Sequence, residues 1–391
     1  MSIESGVHFE SENSIRYISE TSQEFEEDFR KRRPTGNRIF GLSEIEFAKS
    51  EIETMKRISS NEGKILSEED IQKIWEEKLD MPQRALKMFF ERAEKNQDSS
   101  FEEEAKYSEE FFSQSLKDPD ISHAFKELGD THNTEVSPQV AIDIFRRGEL
   151  PTPLFKMMLE KHISRIEEKL SLVKGETTFN FQLFKDAIYA EIEAGRIPLS
   201  KELVDRRLES IKVSYTDPLE TTGVADYDAK TREVRIGLQL NQEERHHALV
   251  HEYTHGLSGI SLALVEENGL RYVEHKKTGL SFSRNVEYNG TSSAMRGQEH
   301  RWLNEALTEM WALRLEGRDE NEMDWGKYQF ERIDVLSLIR AGVPRELFDA
   351  AYFENHTPQN PNDEKGPAWQ ALASKIEEFT QSGYLKERAL K

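Results

Sequence analysis

The sequence predicts an α+β protein that is mainly α-helical, and three observations support this class. Helical periodicity extends over residues 43–173, alternating strand patterns begin at Ile211, and a helical stretch carries the pentapeptide His-Glu-Tyr-Thr-His at 251–255. A chain of 391 residues is long enough for about two domains. The predicted organisation is a partly disordered N-terminus over 1–40, a helical domain over 41–172 and a second domain over 173–391.

The N-terminal region is predicted to be helical after a polar start. Residues 1–40 are polar and acidic apart from the basic cluster at 30–33, a composition typical of partial disorder. Ser67 is a predicted helix N-cap, because Ile71 and Trp75 follow at helical spacing. Further helices are expected at 82–95, 101–116, 137–147 and 153–170. The region up to residue 172 carries no recognisable catalytic motif, and its scattered histidines are expected to be structural or solvated: His8, His123, His132 and His162.

The second region mixes helices and strands. Residues 174–178 contain a glycine between polar residues and mark the expected domain boundary. Helices are then predicted near 184–194 and 200–209, and a strand at 211–215. A β-hairpin over 223–237 is expected directly before the pentapeptide. A second hairpin is predicted over 269–282, with its turn at 276–279.

The pentapeptide at 251–255 has the spacing of a zinc-binding helix. His251 and His255 are four residues apart, so on a helix they point the same way and two neutral imidazoles can bind one Zn²⁺. Glu252 lies beside them, where it could take a proton from a bound water. Asn241 and Glu244 predict an N-cap and an acidic first turn for this helix. Because the pattern fixes only three positions, a solvated helix face that matches it by accident is the alternative interpretation.

A second helix, predicted around Trp302–Trp311, strengthens this interpretation. Its apolar residues repeat at helical spacing, while Glu305 and Glu309 are four residues apart on the other face. HExxH followed by Asn-Glu-x-x-(Ser/Thr)-(Asp/Glu) resembles the signature of the gluzincin metallopeptidases, the thermolysin-like and aminopeptidase-like zincins. Both halves are present in the expected order, as HEYTH and NEALTE. The resemblance covers these two helices and the strand before them, and it implies a zincin-like catalytic domain.

The resemblance also implies a role for each matching residue. It implies one zinc ion per chain with three protein ligands: His251, His255 and Glu305. Glu252 matches the general base that activates a water molecule. Glu309 matches the acid that accepts the free ring N–H of one ligand histidine. Asn304 matches the amide that has the same role toward the other ligand histidine. The implied activity is hydrolysis of peptide bonds in a peptide or protein substrate.

Two roles stay open in the sequence. The interval between His255 and Glu305 is longer than in the best-known gluzincins, so the third ligand has three alternatives: His275, His300 and Glu309. Gluzincins commonly direct a Tyr or His from the C-terminal part to the developing oxyanion. Tyr328, ahead of an apolar helix predicted at 333–341, is the first candidate, followed by His356 and His300. Packing is the alternative role for this tyrosine.

Composition bounds the partners and the compartment. The formal net charge of −21 argues against nucleic acid or an anionic membrane as the main partner. The chain has no cysteine, which excludes disulfides, thiolate zinc sites and thiol catalysis. Neither a signal peptide nor a membrane-spanning segment is apparent, so the cytoplasm is the default expectation and export without a signal stays open. The oligomeric state is not specified by the sequence.

Two other functions fit the same residues. The first is a secreted effector or toxin peptidase, whose helical N-terminal region would select one specific protein. The second is a catalytically silent protein that keeps a zincin fold for binding alone. The presence of Glu252 argues against the silent protein, because a binding protein has no need of that carboxylate.

Overall fold

The computed structural model describes residues 14–18, 34–61, 64–95, 99–129, 136–175, 179–220, 224–267, 270–288, 291–321, 328–358, 365–381 and 383–388. These residues form an α+β protein that is mainly helical, as the sequence predicts. None of the helices in these ranges is both long and apolar enough to span a membrane. The domain boundary expected at 174–178 lies partly outside the described residues.

The first half of the chain is helical. Its helices are α1 (Leu42–Asn61), α2 (Glu68–Lys95), α3 (Ser99–Ser115), α4 (Pro119–Leu128), α5 (Pro138–Arg146) and α6 (Thr152–Gly175). Ser67 accepts a hydrogen bond from the backbone N–H of Asp70, 3.1 Å away, which fits its predicted N-cap role at the start of α2. These helices enclose one apolar core, to which Leu219 and Leu238 of the second half also contribute.

The helix predicted to begin at residue 82 does not begin there. The helix after Ser67 and the one expected at 82–95 form a single helix, α2, with Pro82 inside it. Proline removes one backbone hydrogen bond from a helix interior. The buried side chains nevertheless continue at helical spacing through Leu79, Pro82 and Leu86, so packing outweighs the lost bond.

The second half surrounds two sheets with helices. Its helices are α7 (Phe181–Glu193), α8 (Lys201–Glu209), α9 (Gln242–Leu257), α10 (Arg301–Leu315), α11 (Gln329–Ala341), α12 (Arg345–Tyr352), α13 (Gly366–Phe379) and α14 (Tyr384–Arg388). The smaller sheet contains β2 (Lys212–Thr216), β3 (Ala225–Asp228) and β4 (Glu233–Gly237) in the order β2-β4-β3. β3 and β4 are antiparallel, which confirms the hairpin predicted before the pentapeptide, and β2 runs parallel to β4.

The interval between α9 and α10 holds more strands than the single hairpin that was expected. Its strands are β5 (Ile260–Glu267), β6 (Leu270–Thr278), β7 (Ser281–Tyr288) and β8 (Thr291–Glu299). The predicted hairpin is the β6–β7 pair, but its turn lies at Gly279–Leu280 because the strand continues through Thr278. Gly279 has a φ of 54°, and a Cβ there would approach Asn304 Oδ1 to 2.2 Å, so a side chain at this turn would collide with α10.

The N-terminus contributes a strand to this second sheet. Ser14–Ile18 forms β1, which pairs antiparallel with β5 at the edge of the order β1-β5-β6-β7-β8. These five residues lie within the segment 1–40, for which the sequence predicts partial disorder. Residues 1–13 and 19–33 lie outside the described part of the chain.

Polar contacts join the two halves. His162 on α6 lies 2.5 Å from Asp217, which follows β2, and the same carboxylate accepts a hydrogen bond from the backbone N–H of Phe40. Glu233 on β4 accepts hydrogen bonds from the backbone N–H groups of Thr35 and Gly36. These contacts tie the segment before α1 to the sheet that precedes α9.

Candidate metal centre

The pentapeptide lies on α9, and local sequence explains where this helix begins. Asn241 and Glu244 form the predicted capping box, with Asn241 Oδ1 accepting from Glu244 N at 3.0 Å and Glu244 accepting from Asn241 N at 2.8 Å. Gly256 lets the following turn pack closely, because a Cβ there would lie 2.4 Å from Ile211 Cδ1. The helix is buried from His247 to Leu257, so its polar side chains need partners inside the protein.

Those partners come from α10. Leu303, Ala306, Leu307 and Met310 are fully buried and form the predicted apolar stripe of this helix. Its glutamates are turned toward α9 rather than toward solvent, and Glu309 is also fully buried. The two predicted motifs therefore face one another across a helix–helix interface.

Three of the predicted ligands converge on one point. Glu305 Oε2 lies 3.4 Å from His251 Nε2 and 3.3 Å from His255 Nε2. Zinc bonds of about 2.0–2.1 Å at tetrahedral angles would separate neighbouring donor atoms by about 3.3–3.4 Å. The donor set of two imidazole nitrogens and one carboxylate oxygen is also the one that zinc prefers in open sites. The residues that are present fit a zinc ion.

A second group of acids and histidines lies behind the first and has different spacing. Glu309 Oε2 is 2.8 Å from His251 Nδ1, and Glu309 Oε1 is 2.9 Å from His247 Nε2. These separations are ordinary hydrogen-bond lengths and are shorter than the spacing of donors around a tetrahedral zinc ion. Glu309 thus holds the ring of His251 from the side opposite Glu305. This is the contact that the motif resemblance implies for Glu309.

His255 is held differently. Its Nδ1 lies 3.2 Å from Thr308 Oγ1. The Thr308 hydroxyl donates its own hydrogen bond to the backbone carbonyl of Asn304, 2.8 Å away. Thr308 can therefore accept the ring N–H when Nε2 is free to bind a metal. Asn304 lies beside the same ring, with its Nδ2 at 3.4 Å, but its Oδ1 accepts from Leu280 N at 2.9 Å. The hydroxyl of Thr308, rather than the expected amide, is placed to receive the proton.

Burial and charge act against each other at these groups. Burial alone would lower the pKa of His251, but hydrogen bonds with Glu305 and Glu309 outweigh it and raise the pKa to about 10. Burial alone would raise the pKa of the Glu305 and Glu309 carboxyls. The histidines that contact these two groups outweigh burial and hold each pKa well below its usual range. A divalent cation at the centre would replace the protons on these histidines.

Glu252 has the environment of a general base. It is 6% exposed, and burial raises the pKa of its carboxyl, opposed by the nearby His251 and His255. A carboxylate with a raised pKa accepts a proton more readily near neutral pH. Glu252 also lines a cleft together with His251.

Tyr328 lies at the same cleft. Its ring stacks on His251 with centroids 5.6 Å apart and an interplanar angle of 22°. It precedes α11 with φ 56° and ψ 38°, a backbone conformation that is uncommon for a residue with a side chain. Burial raises the pKa of its hydroxyl, and Glu305 and Glu252 raise it further, so the group remains a neutral hydrogen-bond donor.

The cleft has a volume of about 450 Å³ and extends along α9 from Asn241 to Glu252. Ala248 forms part of its floor, and Val224 and Ala225 line the side next to β3. β3 is the edge strand of its three-stranded sheet. His247 and His251 of α9 line the same cleft as Val224 and Ala225.

The remaining candidates are placed elsewhere. His300 is 2% exposed and packs against Trp369 with ring centroids 4.7 Å apart, outside the groups of metal-binding geometry among the described residues. His356 follows α12 and is not a member of those groups either. The backbone of His275 lies in β6 opposite Leu262, and its side chain is outside the described part of the structure.

Sequence reasoning missed three residues of the centre. Thr308 contacts His255, and His247 contacts Glu309. Glu316 in turn contacts His247. One signal was available, because His247 precedes His251 by four residues and so lies on the same helix face.

Comparison of the chain with protein-family models, curated proteins and solved structures found no match.

Proposed function

We propose that the protein is a zinc-dependent metallopeptidase with a zincin-like catalytic domain. The observation that supports this most strongly is the 3.3–3.4 Å spacing of Glu305 Oε2 from the Nε2 atoms of His251 and His255. That spacing suits a tetrahedral metal, whose fourth position would remain for water or substrate. The two sequence motifs contribute all three donors.

The chemistry of such a site is hydrolysis. A zinc ion held by these residues would lower the pKa of a water molecule and polarise a substrate carbonyl. Glu252 accepts a proton from the attacking water and then passes it to the departing amine. The hydroxyl of Tyr328 donates a hydrogen bond to the oxyanion that develops on the carbonyl oxygen. Glu309 and Thr308 contact the Nδ1 atoms of the two ligand histidines and so keep each ring in the tautomer with a free Nε2.

A peptide in extended conformation is the substrate that suits the cleft. The edge of β3 offers backbone hydrogen bonds to such a chain, and these give affinity with little dependence on side-chain identity. The cleft of about 450 Å³ has room for substrate side chains next to Ala248.

The test uses the full-length protein. We expect about one zinc ion per chain by elemental analysis, cleavage of casein or of a peptide library, and loss of cleavage on treatment with a chelator. Zinc addition should restore it. Stoichiometric zinc without cleavage of any peptide would instead favour a silent zincin-fold binding protein. A protein that binds no zinc would refute the proposal.

A further inference from the structure

A chain of hydrogen bonds between buried side chains continues beyond Glu309, the acid that holds His251. His247 Nε2 lies 2.9 Å from Glu309 Oε1, and His247 Nδ1 lies 3.0 Å from Glu316 Oε2. The side chains of His247 and Glu316 are only 9% and 6% exposed. The chain therefore runs from the end of α10 to the back of a proposed metal ligand.

The two oxygens of Glu309 have separate tasks. One oxygen faces His251 Nδ1 at 2.8 Å, and the other faces His247. A carboxylate with a single partner can rotate about its Cγ–Cδ bond, and a fully buried one would also favour the neutral form. The hydrogen bond from His247 to the second oxygen restricts this rotation and favours the charged form of the carboxylate.

His247 is itself fixed at both ends. Each of its ring nitrogens faces a carboxylate oxygen, so the ring donates two hydrogen bonds and has no nitrogen left as an acceptor. Arg318 Nε lies 3.6 Å from the oxygen of Glu316 that His247 contacts, which places a further positive charge at the outer end of the chain. Both ring nitrogens of His247 have carboxylate partners without a metal, and these contacts are shorter than donor spacings around zinc.

We propose that His247, anchored by Glu316, is a positioning residue that fixes Glu309 and through it the metal-binding orientation of His251. The inference rests on the proposed function. His247 acts on the proposed metal ligand His251 through Glu309, which lies between them and contacts both. Partners of this kind commonly change metal affinity by about 10–100-fold when they are removed.

Two substitutions at this position separate positioning from packing. In His247→Gln the amide nitrogen replaces Nε2 and keeps a donor toward Glu309. In His247→Asn the amide nitrogen replaces Nδ1 and keeps a donor toward Glu316 alone. Both variants are polar, uncharged and smaller than or similar to histidine, so a purely structural role predicts similar effects. The positioning role predicts that only the asparagine variant loses zinc affinity.

The measurement is the zinc dissociation constant by competition with a chromogenic chelator, together with the visible spectrum of the cobalt-substituted protein. We expect His247→Asn to weaken zinc binding about 10–100-fold and to alter the cobalt spectrum, with His247→Gln within a few-fold of wild type. His162→Asn is the matched control, because His162 is also buried and bonded to an acid but lies in the contact between the two halves. It should lower thermal stability and leave zinc affinity unchanged.

The outcomes separate this inference from the proposed function. One outcome is that wild-type protein binds zinc but the His247→Asn and His247→Gln variants have equal zinc affinity and equal cobalt spectra. That outcome would overturn the positioning role and leave the proposed function standing. Two zinc ions per chain, one lost in both variants, would overturn it as well, because His247 would then be a ligand. Wild-type protein without zinc would overturn both proposals. If His247→Asn does not fold, His247→Ala serves instead, because it also removes the donor toward Glu309. Its zinc affinity should fall about 10–100-fold, and a wild-type affinity would be the contradicting result.

Discussion

The imidazole of His251 has two sides that meet two glutamates of the same helix in different ways. On the proposed ligand side, Nε2 lies 3.4 Å from Glu305, whose same oxygen lies 3.3 Å from His255 Nε2. On the support side, Nδ1 lies 2.8 Å from Glu309, whose other oxygen is taken by His247. Both sides contain histidines and glutamates at similar burial. Donor spacing, rather than residue type, distinguishes a place for a metal from a closed hydrogen-bond network.

The largest effect is expected on the ligand side, at Glu252. Glu252→Gln removes the general base but none of the proposed ligands, so we expect hydrolysis to fall by about 10²–10⁴-fold. The zinc content should stay at the wild-type value. Peptide turnover and elemental analysis of the same preparation check this, and an active variant would contradict the mechanism.

The next effect concerns the tyrosine that stacks on the ligand side. Tyr328→Phe keeps the ring against His251 and removes only the hydroxyl. Loss of one oxyanion donor typically lowers kcat by about 10²–10³-fold, and we expect a decrease in that range with little change in KM or zinc affinity. Steady-state kinetics test it. Unchanged kcat would assign Tyr328 to packing.

A smaller effect is expected on the support side. Glu309→Gln keeps the size of the side chain but removes the charge that fixes the His251 tautomer. We expect zinc affinity to weaken by about 10–100-fold, with binding still complete at high zinc concentration. Competition titration with a chelator measures this. Complete loss of binding under saturating zinc would mean that Glu309 is a ligand, as one of the alternatives in the sequence allows.

The smallest effect is the pH dependence of stability in the metal-free protein. The pKa of His251 is raised from 6.5 to about 10, so its contribution is fully present below pH 6.5 and is lost as the pH rises through about 10. The lowered pKa of Glu309 acts in the other direction, and its contribution is lost as the pH falls below about 4.5.

Urea unfolding in the presence of a chelator tests this dependence. The free energy of unfolding of wild type should decrease between pH 7 and 10, and the decrease should be smaller in Glu309→Gln. Zinc binds the deprotonated histidines, so the stabilisation that zinc adds should increase over the same pH range. An equal decrease in wild type and variant would contradict the coupling between the two residues.

The sequence predicted the centre where local spacing carries the information. The four-residue separation of His251 and His255 and that of Glu305 and Glu309 each define a helix face without any tertiary knowledge. The capping box at Asn241 is equally local, and it is present in the structure. Prediction from local pattern therefore located both helices and the faces on which they contact one another.

What the sequence did not predict depends on contacts between distant residues. Thr308 serves His255, and Glu316 serves His247, across separations of 53 and 69 residues. β1 is a strand because β5 offers it an edge, although the composition of residues 1–40 indicates partial disorder. Pro82 stays inside a helix because its neighbours are buried against other helices. In each case tertiary packing outweighs the local preference.

The central claim is that one zinc ion lies on the ligand side of His251 and none on the support side. The most direct measurement is the zinc stoichiometry, at saturating zinc, of wild type, Glu305→Ala and Glu309→Ala. We predict about one zinc ion per chain for wild type and for Glu309→Ala, and none held stoichiometrically by Glu305→Ala. Full zinc in the Glu305 variant with loss in the Glu309 variant would contradict the account.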